Sequence, residues 1–296
     1  MRTSHGLWKV REGIIITLKD AEGIAYGEIA PIPWFGSETI AEARQFCQQQ
    51  GNTIDSETIA RIPDRLPACQ FGFESALLTL LLKPQPVDEN LFDYCYLLPT
   101  GKQVLAASEI DENKESATFK WKIGVEKVAT EIAIAQQLIT KLPPNSQLRL
   151  DANGGLNVTD ARIWLEFAQN HHIIEFIEQP LPPSQFEEMM ELSKTYTTPL
   201  ALDESVTKIS QLQNCYERGW RDIFIVKCAI AGFPSRLLSF ARKHDLDLVF
   251  SSVFETAIAR QTALQLADII SDRQSTTPLQ NRSLGFGIKH WFDDGL

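Results

Sequence analysis

Five ionisable residues recur along this chain at a nearly constant interval: Lys122, Asp151, Glu178, Asp203 and Lys227, separated by 29, 27, 25 and 24 residues. Each closes a short strand-like run: FKWKI, QLRLD, IIEFIE, LALD and FIVK. One strand, one helix and two loops take about that many residues, which is the repeat of a (β/α) barrel. Such barrels gather their catalytic groups at the C-terminal ends of successive strands. The interval therefore fixes both a fold and a place within it for these five side chains.

The rhythm extends from YCYLLPTG at 94–101 to DLVFSS at 247–252, and seven strands can be counted. Helices are expected at 125–141, 159–170 (capped by Thr159 or Asp160), 185–194, 209–218, 234–243 and 254–271. The first third lacks this rhythm. Runs at 7–18 and 24–30 around the turn DAEG form a hairpin signal, and helical stretches follow at 38–50, 56–62 and 69–83. The expected architecture is a modified (β/α)7β TIM-type barrel at 91–279 with an N-terminal α+β capping domain at 1–90, completed by the tail at 280–296. The eighth strand is either taken from the tail (IKHWF) or missing.

Composition excludes several function classes. A net charge of −10 leaves no basic stripe for nucleic acid. No apolar run approaches the roughly 18 residues needed to span a bilayer, and MRTSHGLWKVREG has no apolar signal core, so a cytoplasmic location is expected. Five cysteines, odd in number and without CxxC spacing, argue against zinc and a disulfide framework. His171 and His172 end a predicted helix and read as caps.

Side chains two apart on a strand share a face. Lys120 thus points with Lys122, Arg149 with Asp151, Phe176 with Glu178, and Ile225 with Lys227. If that face lines the barrel, three carboxylates converge from adjacent strands and repel one another unless a hard cation holds them. Mg²⁺ fits such an oxygen set, with Mn²⁺ as a substitute. Lysines on either side of the cation are expected to have lowered pKa values, as a general base needs. Single residues also have plainer readings. Asp203 alone resembles a helix N-cap, Arg149 a structural salt-bridge partner, and Asn153 with Gly154-Gly155 a turn. It is the joint pattern of five that points to a site.

KxK at 120–122, DAN at 151–153, EQP at 178–180, DES at 203–205 and the lysine after the sixth strand resemble the enolase superfamily, muconate-lactonizing subgroup. That family uses a lysine or histidine base with Mg²⁺ on an enediolate. The resemblance implies Asp151, Glu178 and Asp203 as Mg²⁺ ligands, Lys122 as acid and base, Lys120 tuning it, and Lys227 facing it across a small carboxylate substrate. The hairpin domain resembles the family's cap, and GEIAPIPWFGSET its substrate-covering loop. YLLPTG, GEIAPIPWF and SSVFET further resemble the branch that dehydrates 2-succinyl-6-hydroxy-2,4-cyclohexadiene-1-carboxylate towards menaquinone or phylloquinone. Asn153, Ser251, Ser252 and Gly285 are candidate substrate contacts, the last three equally readable as turn residues. Racemization of N-acylamino acids uses the same two lysines and stays open, as does muconate cycloisomerization. SSVFET lacks the DxD of dipeptide epimerases. The other classes to weigh are a Schiff-base lyase, which has no use for three carboxylates, and an inactive ligand-binding barrel.

Overall fold

The computed structural model describes residues 2–3, 6–7, 10–110, 115–244, 246–273 and 282–287. A two-residue antiparallel pair, β1 (Arg2–Thr3) and β2 (Gly6–Leu7), precedes the hairpin of β3 (Ile14–Lys19) and β4 (Ile24–Ile29). Three helices follow, α1 (Ile40–Gln50), α2 (Ser56–Ala60) and α3 (Pro67–Leu82). Thr39 and Glu42 close a capping box on α1, and Asp55 caps α2. The hairpin lies on α3 so closely that a Cβ at Gly27 would stand 1.9 Å from the Gly72 carbonyl oxygen. Only glycine permits that approach.

The barrel strands are β5 (Tyr94–Leu97), β6 (Thr118–Lys122), β7 (Gln147–Asp151), β8 (Ile174–Glu178), β9 (Leu200–Leu202), β10 (Ile223–Val226), β11 (Leu248–Phe250) and β12 (Leu284–Gly287). They form one parallel sheet in the order β11-β10-β9-β8-β7-β6-β5-β12, and a bridge between Ser251 and Gly285 brings its edges together. The outer layer comprises α4 (Val128–Ile139), α5 (Val158–Gln169), α6 (Phe186–Thr195), α7 (Ile209–Glu217), α8 (Cys228–Ala231), α9 (Pro234–Lys243) and α10 (Ala257–Arg273). Among its described residues, the first crossover contains only a 3-10 turn, Gly101–Ala106. Between strands and helices, Trp121 and Trp164 meet edge to face at 6.3 Å. Inside the barrel, Phe176, Ala201, Ile223, Ile225 and Val249 form a separate apolar layer. No helix among the described residues is long and apolar enough to cross a membrane.

Two expectations are corrected. The tail was assigned to the cap, yet residues 284–287 are the eighth barrel strand, paired in parallel with β5; IKHWF at 288–292 lies outside the described residues. The N-cap of α5 is Asn157, whose side chain accepts the Asp160 N–H at 2.9 Å, rather than Thr159 or Asp160. His171 does sit past the end of α5, its Nδ1 2.7 Å from the Phe167 carbonyl.

Candidate active site

The register of the sheet builds the site. Lys122 pairs with Asp151 and Asp151 with Glu178, so three candidate side chains stand abreast at the ends of β6, β7 and β8. Asp203 and Lys227 come one residue after β9 and β10. The three carboxylate residues are each about 2% exposed or less. Asp203 occupies the N-cap position of a 3-10 turn but makes no capping bond, so the plain reading of it as a cap does not hold. Its carboxylate pairs with the Lys227 ammonium instead.

Lys120 lies between the carboxylates, 3.1 Å from Asp151 Oδ2 and 3.0 Å from Glu178 Oε1. Burial alone would lower its pKa, but the charges of Asp151, Glu178 and Asp203 outweigh this and hold it well above the ordinary lysine value. Lys120 is therefore a fixed cation between the two carboxylates. Burial raises Glu178 to about 7, helped by the Asp151 charge, and raises Asp203 to about 6 against the pull of Lys227. Asp151 goes the other way, to about 2, because Lys120 and Lys122 overcome its desolvation. Among the described residues, no three acidic, histidine or cysteine side chains have their ligand atoms drawn together around one point. The lysines hold these oxygens, and Glu204 adds a fourth, half-buried carboxylate whose Oε2 is buried without a hydrogen-bond partner.

Two residues after strand ends carry more than the sequence suggests. Gln179 is fully buried in the left-handed region, at φ 40°. Its Oε1 accepts the N–H groups of Asp203 (2.9 Å) and Ser205 (3.1 Å), while Nε2 donates to the Leu181 carbonyl (2.9 Å) and Ser205 Oγ (2.8 Å). It thereby ties the segment bearing Asp203 to the end of β8. Its place in EQP was the only signal in the sequence. Asn153, expected against substrate, directs both ends of its amide to protein: Oδ1 accepts from Lys122 Nζ at 2.5 Å and Nδ2 donates to Glu204 Oε1 at 3.1 Å.

The remaining candidates split. Ser252 is buried and turns inward, its Oγ donating to Glu255 Oε2 (2.8 Å) and accepting from the Phe254 N–H (2.9 Å), which fits the turn reading. Gly285 closes the barrel, for a Cβ there would come within 2.8 Å of Ser251 Oγ. Ser251 is half-buried at that seam. Arg149 is structural: its Nε donates to Glu175 Oε2 at 2.6 Å and its guanidinium lies 4.9 Å from the Phe176 ring centre.

The cap covers the mouth. The Phe35 ring, on the turn Pro33–Phe35, lies 4.1 Å from Lys227 Nζ. Carboxylates anchor this loop at both ends. Glu28 accepts the Thr256 N–H (2.9 Å) and Thr256 hydroxyl (2.6 Å) at the start of α10, and Glu38 accepts the N–H groups of Ala68 (3.1 Å) and Cys69 (2.7 Å) at the start of α3. Negative groups at helix N-termini are favourable there. Arg11 reinforces the first anchor, donating to the carbonyls of Ala30, Pro31 and Val253. A cavity of about 290 Å³ lies elsewhere, beside α6 and α7, lined by Phe186, Ser205, Asn214, Cys215 and Arg218 among others.

Comparison with known proteins agrees with this architecture. The family model "Enolase C-terminal domain-like" matches residues 105–283, and "MenC, N-terminal domain" matches residues 4–80. The o-succinylbenzoate synthase of Thermosynechococcus vestitus is 38% identical over 98% of this chain and 89% of its own. That of Yersinia enterocolitica is 28% identical, over 99% and 90%. The crystal structure of o-succinylbenzoate synthase from Thermosynechococcus elongatus BP-1, complexed with Mg in the active site, has a TM-score of 0.86 at 37% identity, covering 99% of this chain and 90% of that one. The L-Ala-D/L-Glu epimerase from Bacillus subtilis, at 18% identity and a TM-score of 0.73 over 93% and 82%, shares the fold. The chain belongs to the o-succinylbenzoate synthase family of the enolase superfamily.

Proposed function

We propose that this chain catalyses the Mg²⁺-dependent syn-dehydration of 2-succinyl-6-hydroxy-2,4-cyclohexadiene-1-carboxylate to o-succinylbenzoate, a step towards menaquinone or phylloquinone. The observation that carries the proposal is the row of carboxylates Asp151 and Glu178 with Asp203 beyond them, flanked by Lys122 on β6 and by Lys227 after β10. Family membership supplies the substrate class.

The donor set suits the metal. Asp151, Glu178 and Asp203 are oxygen donors on neighbouring strands, the choice of a hard cation, and the buried free oxygen of Glu204 shows how much negative charge the mouth already carries. These three residues would hold Mg²⁺, which supplies positive charge against the enediolate that develops as the α-proton leaves. Lys122 removes that proton as the free amine. As the ammonium it then returns the proton to the departing hydroxyl, so that H⁺ and OH⁻ leave as water from one face of the ring. Aromatization drives the step forward. Lys227 stands on the opposite side as a cation facing the planar anion, and Lys120 remains charged between Asp151 and Glu178. The Phe35 turn excludes water while the anion exists.

The flanking pair of lysines also fits racemization of an N-acylamino acid, with each lysine serving one face. Assaying the purified protein on both substrates, with Mg²⁺ and with excess EDTA, separates the readings. Dehydration that stops in EDTA is expected. Turnover of the N-acylamino acid alone overturns the dehydratase proposal, and full dehydration in EDTA overturns the metal assignment.

A further inference from the structure

The hydrogen-bonded chain behind Lys122 does not end at Asn153. Lys122 Nζ donates to Asn153 Oδ1 at 2.5 Å, and Asn153 Nδ2 donates to Glu204 Oε1 at 3.1 Å. A primary amide accepts at one end and donates at the other, so it can link a cation to an anion. The charges at the two ends also set its orientation. Reversed, it would place Nδ2 against an ammonium and Oδ1 against a carboxylate. The backbone of Asn153 is fixed as well, in the left-handed region at φ 45°, with its N–H on Asp151 Oδ1 at 3.1 Å. Asparagine is among the few side chains that adopt this conformation readily.

We infer that Glu204, acting through Asn153, is a positioning residue for Lys122. The inference rests on the reading of Lys122 as the group that moves the proton. A lysine on its own samples many rotamers and loses that freedom when fixed. Tied to Asn153 Oδ1 by one N–H, the free amine keeps its lone pair and its second hydrogen for the substrate. It also stays in place between taking the proton and returning it, which is what two events on one face require. Glu204 keeps the amide from turning over. The carboxylate lies one residue past Asp203, so a competing role as a further metal ligand has to be tested directly.

The test compares E204A, E204Q, N153A and the E204A/N153A double variant, each loaded with Mg²⁺. The expected result is a kcat roughly ten- to hundred-fold lower in E204A and in N153A, the range for removing a partner that orients a functional group. KM and Mg²⁺ affinity by calorimetry should stay near the parent. E204Q, which keeps a carbonyl to accept from Asn153, should recover most of the rate, and the double variant should be no worse than either single. In substrate-free protein, labelling of Lys122 by an amine-reactive ester, read by peptide mass spectrometry, should be several-fold faster in E204A and N153A, with Lys227 unchanged. Additive losses, or a Mg²⁺ affinity in E204A weakened in step with kcat, would overturn the inference. A parent inactive on the cyclohexadiene substrate defeats the proposed function, and the labelling result still decides the present question: equal rates at Lys122 in parent and variants reject it.

Discussion

Replacing Gln179 by methionine is the perturbation whose effect the geometry sets most directly. Methionine nearly matches glutamine in length and volume, so the change removes polar partners without opening a large cavity. Two N–H groups, of Asp203 and Ser205, and the carbonyl of Leu181 lose their partner at a fully buried position. Each buried polar group left unpaired costs about 1–3 kcal/mol, so the three together cost about 3–6 kcal/mol after local adjustment. Whole-protein stability is typically about 5–15 kcal/mol. For a chain of this size each kcal/mol moves Tm by about 2–4 °C, which gives a fall of about 6–24 °C. Asp203 should shift with its unpinned backbone, so Mg²⁺ affinity should fall too. Thermal unfolding by circular dichroism and Mg²⁺ titration by calorimetry measure both. A Tm within about 2 °C of the parent, with unchanged Mg²⁺ affinity, would refute the view that Gln179 holds the segment carrying Asp203.

Three other outcomes are expected. Lys122→Arg should abolish dehydration, because guanidinium cannot give up its proton at working pH; Lys227→Arg should retain some activity, and Lys227→Ala should lose about 2 kcal/mol, roughly thirty-fold in kcat/KM. Equal and complete loss in both arginine variants would favour racemization. Phe35→Ala should lower kcat/KM by about 1–2 kcal/mol through loss of the ring over Lys227 while leaving Mg²⁺ affinity intact, and wild-type kcat/KM would make the loop purely structural. Metal-free stability should peak just below about pH 4: Glu178 rises from an ordinary 4.5 to about 7 and Asp203 from 3.8 to about 6, so their contribution is present below the lower value and lost as pH rises through the higher. Asp151, lowered from 3.8 to about 2, contributes above the higher value and loses its contribution as pH falls through the lower. Urea unfolding at several pH values tests this, and Mg²⁺ should remove the alkaline decline; a decline that persists in saturating Mg²⁺ counts against the carboxylates as its source.

The barrel was legible because its period is long, repeated and marked by charge. Lys122, Asp151 and Glu178 end their strands and Asp203 and Lys227 come one residue after theirs, since a residue that must face the mouth can occupy only one position per repeat. The eighth strand was not legible. LGFG carries two glycines because its neighbours come too close for side chains: a Cβ at Gly287 would stand 2.3 Å from the Cys95 carbonyl oxygen. Close packing thus erased the alternation by which a strand is recognised. Gln179 and Glu38 were hidden for another reason. Each binds backbone N–H groups some 24–31 residues away, and backbone partners leave no mark on sequence. Asn153 was assigned to the substrate because a polar residue at a strand end signals a site but not which neighbour it serves.

The charge at the mouth explains why such a site remains folded and still attracts its substrate. Asp151, Glu178, Asp203 and Glu204 face Lys120, Lys122 and Lys227, so fully ionised side chains leave one unit of negative charge in a buried volume. Burial raises Glu178 and Asp203 first, and neighbouring carboxylates add to it, so holding a proton is a relief open to the protein alone. A divalent cation would reverse the balance to one positive charge and restore both carboxylates to their ionised form. The same ion that stabilises the fold would then give the mouth the sign that an anionic carboxylate substrate needs. Phe35 fits that logic: its ring face accommodates the Lys227 cation without adding a charge, so the loop can cover the mouth without altering the balance beneath it.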